Sequence, residues 1–217
     1  MTPAIVSRMR FVSVLAVACL IATAITTGCS DSESPGEDAA VLISEGWAHF
    51  EAEDYQTAIS KFNQATGDTD HKRDAYDGLG WAYARLGQLE NADAAFLHVL
   101  TQILDPSRET YAGASLVSLA LKNYDRAEEN SHWAITRFEE EYEFRYDPAV
   151  THITLRLVRS IARFHSGDYA SSYADVVVLN DMLDLGLPTL NTGSPNFVAR
   201  LLSQIQTVRE ASGGGLL

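Results

Sequence analysis

Gly46, Tyr55, Ala58 and Phe62 return as Gly80, Leu89, Ala92 and Phe96, each pair 34 residues apart. Nothing else in the chain narrows the choice of folds as far. A fixed period of this length means stacked copies of one supersecondary unit, none of which can bury its apolar face alone. A looser third copy keeps Tyr111, Tyr124, Ala127 and Ala134 in register with one extra residue, Ser115 standing for the glycine and Ser131 for the aromatic. In a degenerate fourth copy, after an insertion, Gly167, Tyr169 and Ser172 echo Gly87, Leu89 and Ala92.

Small residues at these positions are expected where two helices of a unit touch. Gly46 and Gly80 on the first helix are placed opposite Ala58 and Ala92 on the second, since larger side chains would hold the pair apart. Asp54, Gln88, Asn123 and Asp168 precede the second helices, and three of these are good N-cap types. Asp105-Pro106 and Asp147-Pro148 read as a cap followed by a first-turn proline, opening the third and fourth units. The pattern predicts helices over 39–52, 55–66, 72–86, 89–104, 107–121, 124–142, 148–165 and 169–184. Pro188 and Pro195, with no periodicity between them, mark a loop. Phe197, Leu201, Leu202 and Ile205 then predict a last helix over 196–210, with Arg200, Gln204 and Arg209 on its polar face as the array's end cap.

The run Tyr76-x-x-Leu79-Gly80-x-x-Tyr83, followed by Gly87, Leu89, Ala92 and Phe96, resembles the tetratricopeptide repeat, with Tyr76 where that family usually carries tryptophan. The resemblance implies an all-α, tetratricopeptide-type helical-repeat solenoid of three to four repeats, closed by a C-terminal capping helix. It also implies that the first helix of each unit lines a concave face. Counted from the glycine positions, three residues per unit fall on one side of that helix. They are Ile43, Trp47 and Phe50; Asp77, Trp81 and Ala84; Ala112, Leu116 and Leu119; and Leu157, Ile161 and Phe164. The stripe is apolar except for Asp77, and its two tryptophans occupy equivalent places.

Two readings of the stripe stay open. It is a groove awaiting a partner segment, with the tryptophans as anchors, or it is core, covered by the inserted segment after Ile135 or by the C-terminal helix. The insertion, Arg137 to Tyr146, mixes acids with aromatics and reads either as a second contact surface for a basic partner or as a solvated helix end whose aromatics pack inward. Tetratricopeptide clamps for C-terminal carboxylates carry Lys, Arg and Asn on this face. Ile43, Trp47, Asp77 and Trp81 stand there instead, which disfavours that function.

The N-terminus has the layout of an export signal. Arg8 and Arg10 come first, Phe11 to Ile25 is apolar or small, and Thr26-Thr27-Gly28-Cys29 ends the segment. Its end resembles the lipobox of bacterial lipoproteins, with Thr26 where an aliphatic residue is usual. The resemblance implies that Cys29 is lipidated and becomes the first residue after cleavage, and Ser30 behind it matches the outer-membrane class. Ser30 to Asp38 has four acids and no large apolar group, so it is expected to be a flexible tether. The expected organisation is a signal over 1–28, an acidic tether over 29–38, the repeat array over 39–184, a loop and capping helix over 185–211, and a tail over 212–217.

Arg8 and Arg10 are the only charges before residue 29, so the exported body is more acidic than the whole chain at −13. Such a body repels polyanions, which excludes nucleic acid as a partner. Gly-rich phosphate loops, His-Glu-x-x-His, Gly-x-Ser-x-Gly and paired cysteine ligands are missing. The expectation is therefore a protein that is not an enzyme and needs no cofactor. It is a lipid-anchored scaffold of the bacterial cell envelope, at the outer membrane and facing the periplasm, that binds a protein or peptide. The alternative is a glycan- or polymer-binding lipoprotein using Trp47 and Trp81 as stacking platforms.

Overall fold

The computed structural model describes residues 35–137 and 141–213. Cys29, the signal segment, the start of the tether and the last four residues lie outside the described part. Four helix pairs follow in order: α1 (Pro35–Glu51) with α2 (Tyr55–Ala65), α3 (Lys72–Arg85) with α4 (Leu89–Gln102), α5 (Arg108–Ala120) with α6 (Tyr124–Thr136), and α7 (His152–Ser166) with α8 (Tyr169–Met182). Strands β1 (Glu143–Phe144) and β2 (Asp147–Thr151) separate the third pair from the fourth, and α9 (Phe197–Ala211) closes the array. Consecutive helices pack on each other, the first helices α1, α3, α5 and α7 lie side by side, and α9 rests on α7 and α8.

The turn inside each pair is the same device four times. Glu53, Gly87, Lys122 and Gly167 all have positive φ, between 59° and 86°. Each precedes the N-cap of a second helix. Asp54, Asn123 and Asp168 then accept from the backbone N–H three residues on, whereas the Gln88 side chain makes no such bond. The first helices start differently from the sequence reading. The cap of α5 is Ser107, which accepts from the Thr110 amide, so Asp105 and Pro106 lie outside the helix. Asp147-Pro148 opens β2, and α7 begins at a capping box built from Thr151 and Thr154. At the other end α1 already begins at Pro35, inside the segment expected to be tether.

The repeated glycines act on phenylalanine. A methyl group at Gly46 or at Gly78 would meet the Phe62 ring at 2.6 and 2.4 Å, and one at Gly80 or Gly113 would meet Phe96 at 2.6 and 2.2 Å. Each ring is thus clasped between a glycine of its own unit and a glycine of the next unit's first helix. Both phenylalanines are fully buried. The expected opposition of Gly80 to Ala92 misses this: the ring sets the helix spacing, and Gly78 and Gly113 are as necessary as the glycines that the period picked out. In the third unit Ser115 and Ser131 are buried and donate to carbonyl groups of their own helices. In the fourth, the Ser160 and Ser172 hydroxyls each donate to the other's carbonyl, at 3.2 and 2.8 Å.

Two cores result. The larger joins α1 to α6 with Tyr142, Phe144 and Val150 of the insertion and the inner face of α7. The smaller holds Leu157, Val176 and Leu179 against Leu190 and α9. Asp175 links α7 to α8 there, taking two bonds from Arg159, at 3.0 and 2.6 Å, and one each from Arg156 and Arg163. The buried face of α9 is Phe197, Leu201, Gln204, Ile205 and Val208. Gln204, expected to face water, donates to the Pro188 carbonyl, and Leu202, expected inside, is exposed.

Candidate functional site

Residues 141 to 151 do not continue α6. That helix ends at Thr136, and the chain returns as an antiparallel hairpin, β1 against β2, with an irregularity between Glu143 and Phe144. The hairpin lies on the first helices and covers the aromatic stripe. Phe144 stacks on Trp81 at 4.1 Å between ring centroids, and Tyr146 stacks on Trp47 at 4.0 Å, the two rings within 2° of parallel. Arg85 at the end of α3 pairs with Asp147, fastening the second strand. Arg108 lies over the Tyr142 ring at 4.9 Å. Phe144 lies in β1, with Tyr142 just before it and Tyr146 in the turn that leads to β2. Tyr142 and Phe144 pack inward and Tyr146 stacks on Trp47, from a hairpin and not from a helix end.

This placement settles which residues of the stripe are available. Trp81 has no exposed surface and Trp47 keeps 9% of its own, so neither serves as a stacking platform for a glycan. Phe50, Leu116 and Ile43 are buried in the same core, with Leu119 half-buried beside them. Leu157 belongs to the other core, where Ile161 and Phe164 pack half-buried against it. The stripe is therefore one line in the sequence and two separate interiors in the fold. The open groove is replaced by a filled one.

One part of the concave side remains open. Between α1, α3, the start of α5 and the hairpin tip lies a cleft of ≈ 450 Å³. Ile43, Trp47, Phe144 and Tyr146 give it apolar walls, while Arg73, Asp74, Asp77, Glu109 and Arg145 supply charge. Arg73 turns to Asp74, 3.2 Å away. Arg145 lies over the Tyr146 ring at 5.3 Å.

Asp77, read from the sequence as the polar member of the stripe, is 4% exposed at the back of this cleft. Its carboxylate accepts from the Thr110 hydroxyl at 2.7 and 2.9 Å and from the Ser107 hydroxyl at 2.9 Å, tying α3 to the first turn of α5. Burial pushes its pKa up to about 7 against the pull of those hydroxyls, and Asp74 and Glu109 push the same way. The Tyr146 phenol is also raised, by burial first, and there Arg145 alone opposes Glu51, Asp74 and Glu109. The interior of the cleft is thus an acidic environment, with Arg73 and Arg145 also in its lining.

Among the described residues no group of His, Cys, Asp and Glu is placed to hold a metal ion, and no helix is long and apolar enough to cross a membrane. No family model and no curated protein matches the chain. A solved structure titled MamA AMB-1 P212121 matches with a TM-score of 0.53 at 18% identity, covering 80% of this chain and 85% of that one. MamA is a tetratricopeptide-repeat protein. The chain therefore has an all-α, tetratricopeptide-like solenoid fold, as its 34-residue period implies.

Proposed function

We propose that the chain is a non-enzymatic scaffold that binds another protein, held by a lipid on Cys29 at the outer membrane and facing the periplasm of a bacterial cell envelope. The observation that carries the scaffold reading is the tetratricopeptide-like array with a cleft beside the hairpin tip of a size suited to a few side chains. An acidic body of this kind favours a basic partner. The anchor reading rests on the apolar run ending in Gly28-Cys29. Two or more acyl chains bind a bilayer firmly where a single one does not, at roughly 0.8 kcal/mol per buried methylene.

Photocrosslinking in the source cells, with the crosslinker on the concave side at Ser44 and on the outer side at Trp133, tests the scaffold. A protein attached stoichiometrically at either place supports it, and none at either place refutes it. For the anchor, Cys29→Ser is expected to abolish incorporation of labelled palmitate and to leave the precursor uncut. Equal labelling of variant and parent would remove the lipoprotein reading.

A further inference from the structure

The cleft beside the hairpin tip has features that decide what enters it. Its apolar lining includes Ile43 and the edges of the stacked Trp47 and Tyr146 rings, a surface along which an alkyl stem can lie. At the rim Arg145 lies over Tyr146 with no carboxylate within 4 Å among the described residues. Of the acids, Asp74 shares its charge with Arg73, Asp77 is occupied by two hydroxyls, and Glu109 has no ion-pair partner among the described residues. The helix α1 contributes no charge to the lining, α3 contributes Arg73, Asp74 and Asp77, α5 contributes Glu109, and the hairpin contributes Arg145. At Asp77, deep in the cleft, the charges felt are those of Asp74 and Glu109, with no arginine among them.

We infer that this cleft receives a lysine or arginine side chain from a basic segment of a partner protein, with its stem against Trp47 and Tyr146 and its charge toward Glu109 and Asp74. This rests on the scaffold reading above and adds the chemistry of the contact. An acidic peptide would bring its charge up against Glu109 and Asp77, with Arg73 already turned to Asp74, so it is expected to bind more weakly. A small free polycation presents similar charge without a backbone to lie along the hairpin, so it binds weakly and competes poorly.

The test uses the full chain in mild detergent and a fluorescein-labelled hexapeptide of alternating lysine and glycine, followed by anisotropy. The glutamate–glycine counterpart and spermidine serve as probes of the alternatives. Glu109→Gln is expected to weaken the lysine peptide about fivefold, the loss typical of one partly exposed charge contact. Glu90→Gln, which removes the same charge from the exposed side of α4, is expected to leave the affinity within about twofold. Asp74→Asn provides a second cleft variant should Glu109→Gln alter the thermal unfolding of the chain. Equal losses at Glu109 and Glu90 would show attraction to the acidic body as a whole and would overturn the inference. So would equal binding of the glutamate peptide, or displacement of the lysine peptide by equimolar spermidine. A natural partner that crosslinks at Trp133 and never at Ser44 would keep the scaffold and refute the cleft.

Discussion

At the scale of single residues, two positions carry their free energy in an unusual form. Asp77 has its carboxyl raised to about 7 by burial, from an ordinary value near 3.8. A raised folded-state value means that the native chain holds this proton more tightly than the unfolded one. Its contribution to stability is therefore full below about pH 3.8, is lost as pH rises toward 7, and stays lost above, with a limiting slope of about 1.4 kcal/mol per pH unit. Asp77→Asn has no such proton, so its stability relative to the parent is expected to improve steadily between about pH 4 and 7 in urea titrations; a pH-independent gap would show that Asp77 is ionised throughout. Lys122 is the second position. It adopts φ of 60° where the second and fourth units place glycine. A side chain in this left-handed region costs roughly 1 kcal/mol, so Lys122→Gly is expected to stabilise the chain by about that amount in the same assay. Gly87 and Gly167 announce this turn in the sequence, whereas Glu53 and Lys122 conceal it, because the backbone bend there is imposed by the helix pair and not by the residue.

At the scale of elements, spacing between helices is set by Phe62 and Phe96, each lodged between two glycines of successive units. Gly113→Ala illustrates the competition. Alanine favours a helix by about 1 kcal/mol over glycine, but its methyl would sit 2.2 Å from a fully buried ring. Overpacking of that kind costs roughly 1 to 3 kcal/mol. A net loss of stability is expected, reversed in part when Phe96→Leu is added, and a more stable Gly113→Ala chain would mean that α5 stands farther from α4. The period of 34 residues made Gly46 and Gly80 legible, along with the starts of all four second helices. Gly78 and Gly113 were not, since they serve the preceding unit's phenylalanine and a search within one unit passes them by. The hairpin was hidden for another reason. Tyr142, Phe144 and Tyr146 alternate as a strand does, but the acids between them also suit the exposed end of a helix, and α6 leads straight into them. The stripe itself was legible as apolar. What covers it depended on contacts between residues 63 and 99 positions apart, Trp81 with Phe144 and Trp47 with Tyr146, which periodicity does not report.

At the scale of the whole molecule, the hairpin ties the insertion between the third and fourth units to the first and second. A simple repeat array is stabilised only between neighbours; here Phe144 and Tyr146 add contacts with Trp81 and Trp47 across the stack. Trp81→Ala and Phe144→Ala are each expected to cost about 3 to 5 kcal/mol in chemical denaturation, as truncations of large core side chains do. Combined, they should cost less than their sum, because the second change removes a contact already lost. Strictly additive losses would detach the hairpin from the stripe. Order of manufacture adds a consequence of its own. A chain leaves the ribosome N-terminus first, so Trp81 emerges 63 residues ahead of Phe144. At roughly 5 to 20 residues per second that is an interval of several seconds, while helices form in microseconds or less. Until residues 142 to 146 are made, nothing lies on Trp81 where Phe144 later stacks, so any helix pair formed by then has that face bare to water, a sticky surface that vanishes when the hairpin docks. A chaperone that grips the nascent chain there would hold it in the very place where residues 142 to 146 later lie, and would be evicted by the chain's own completion.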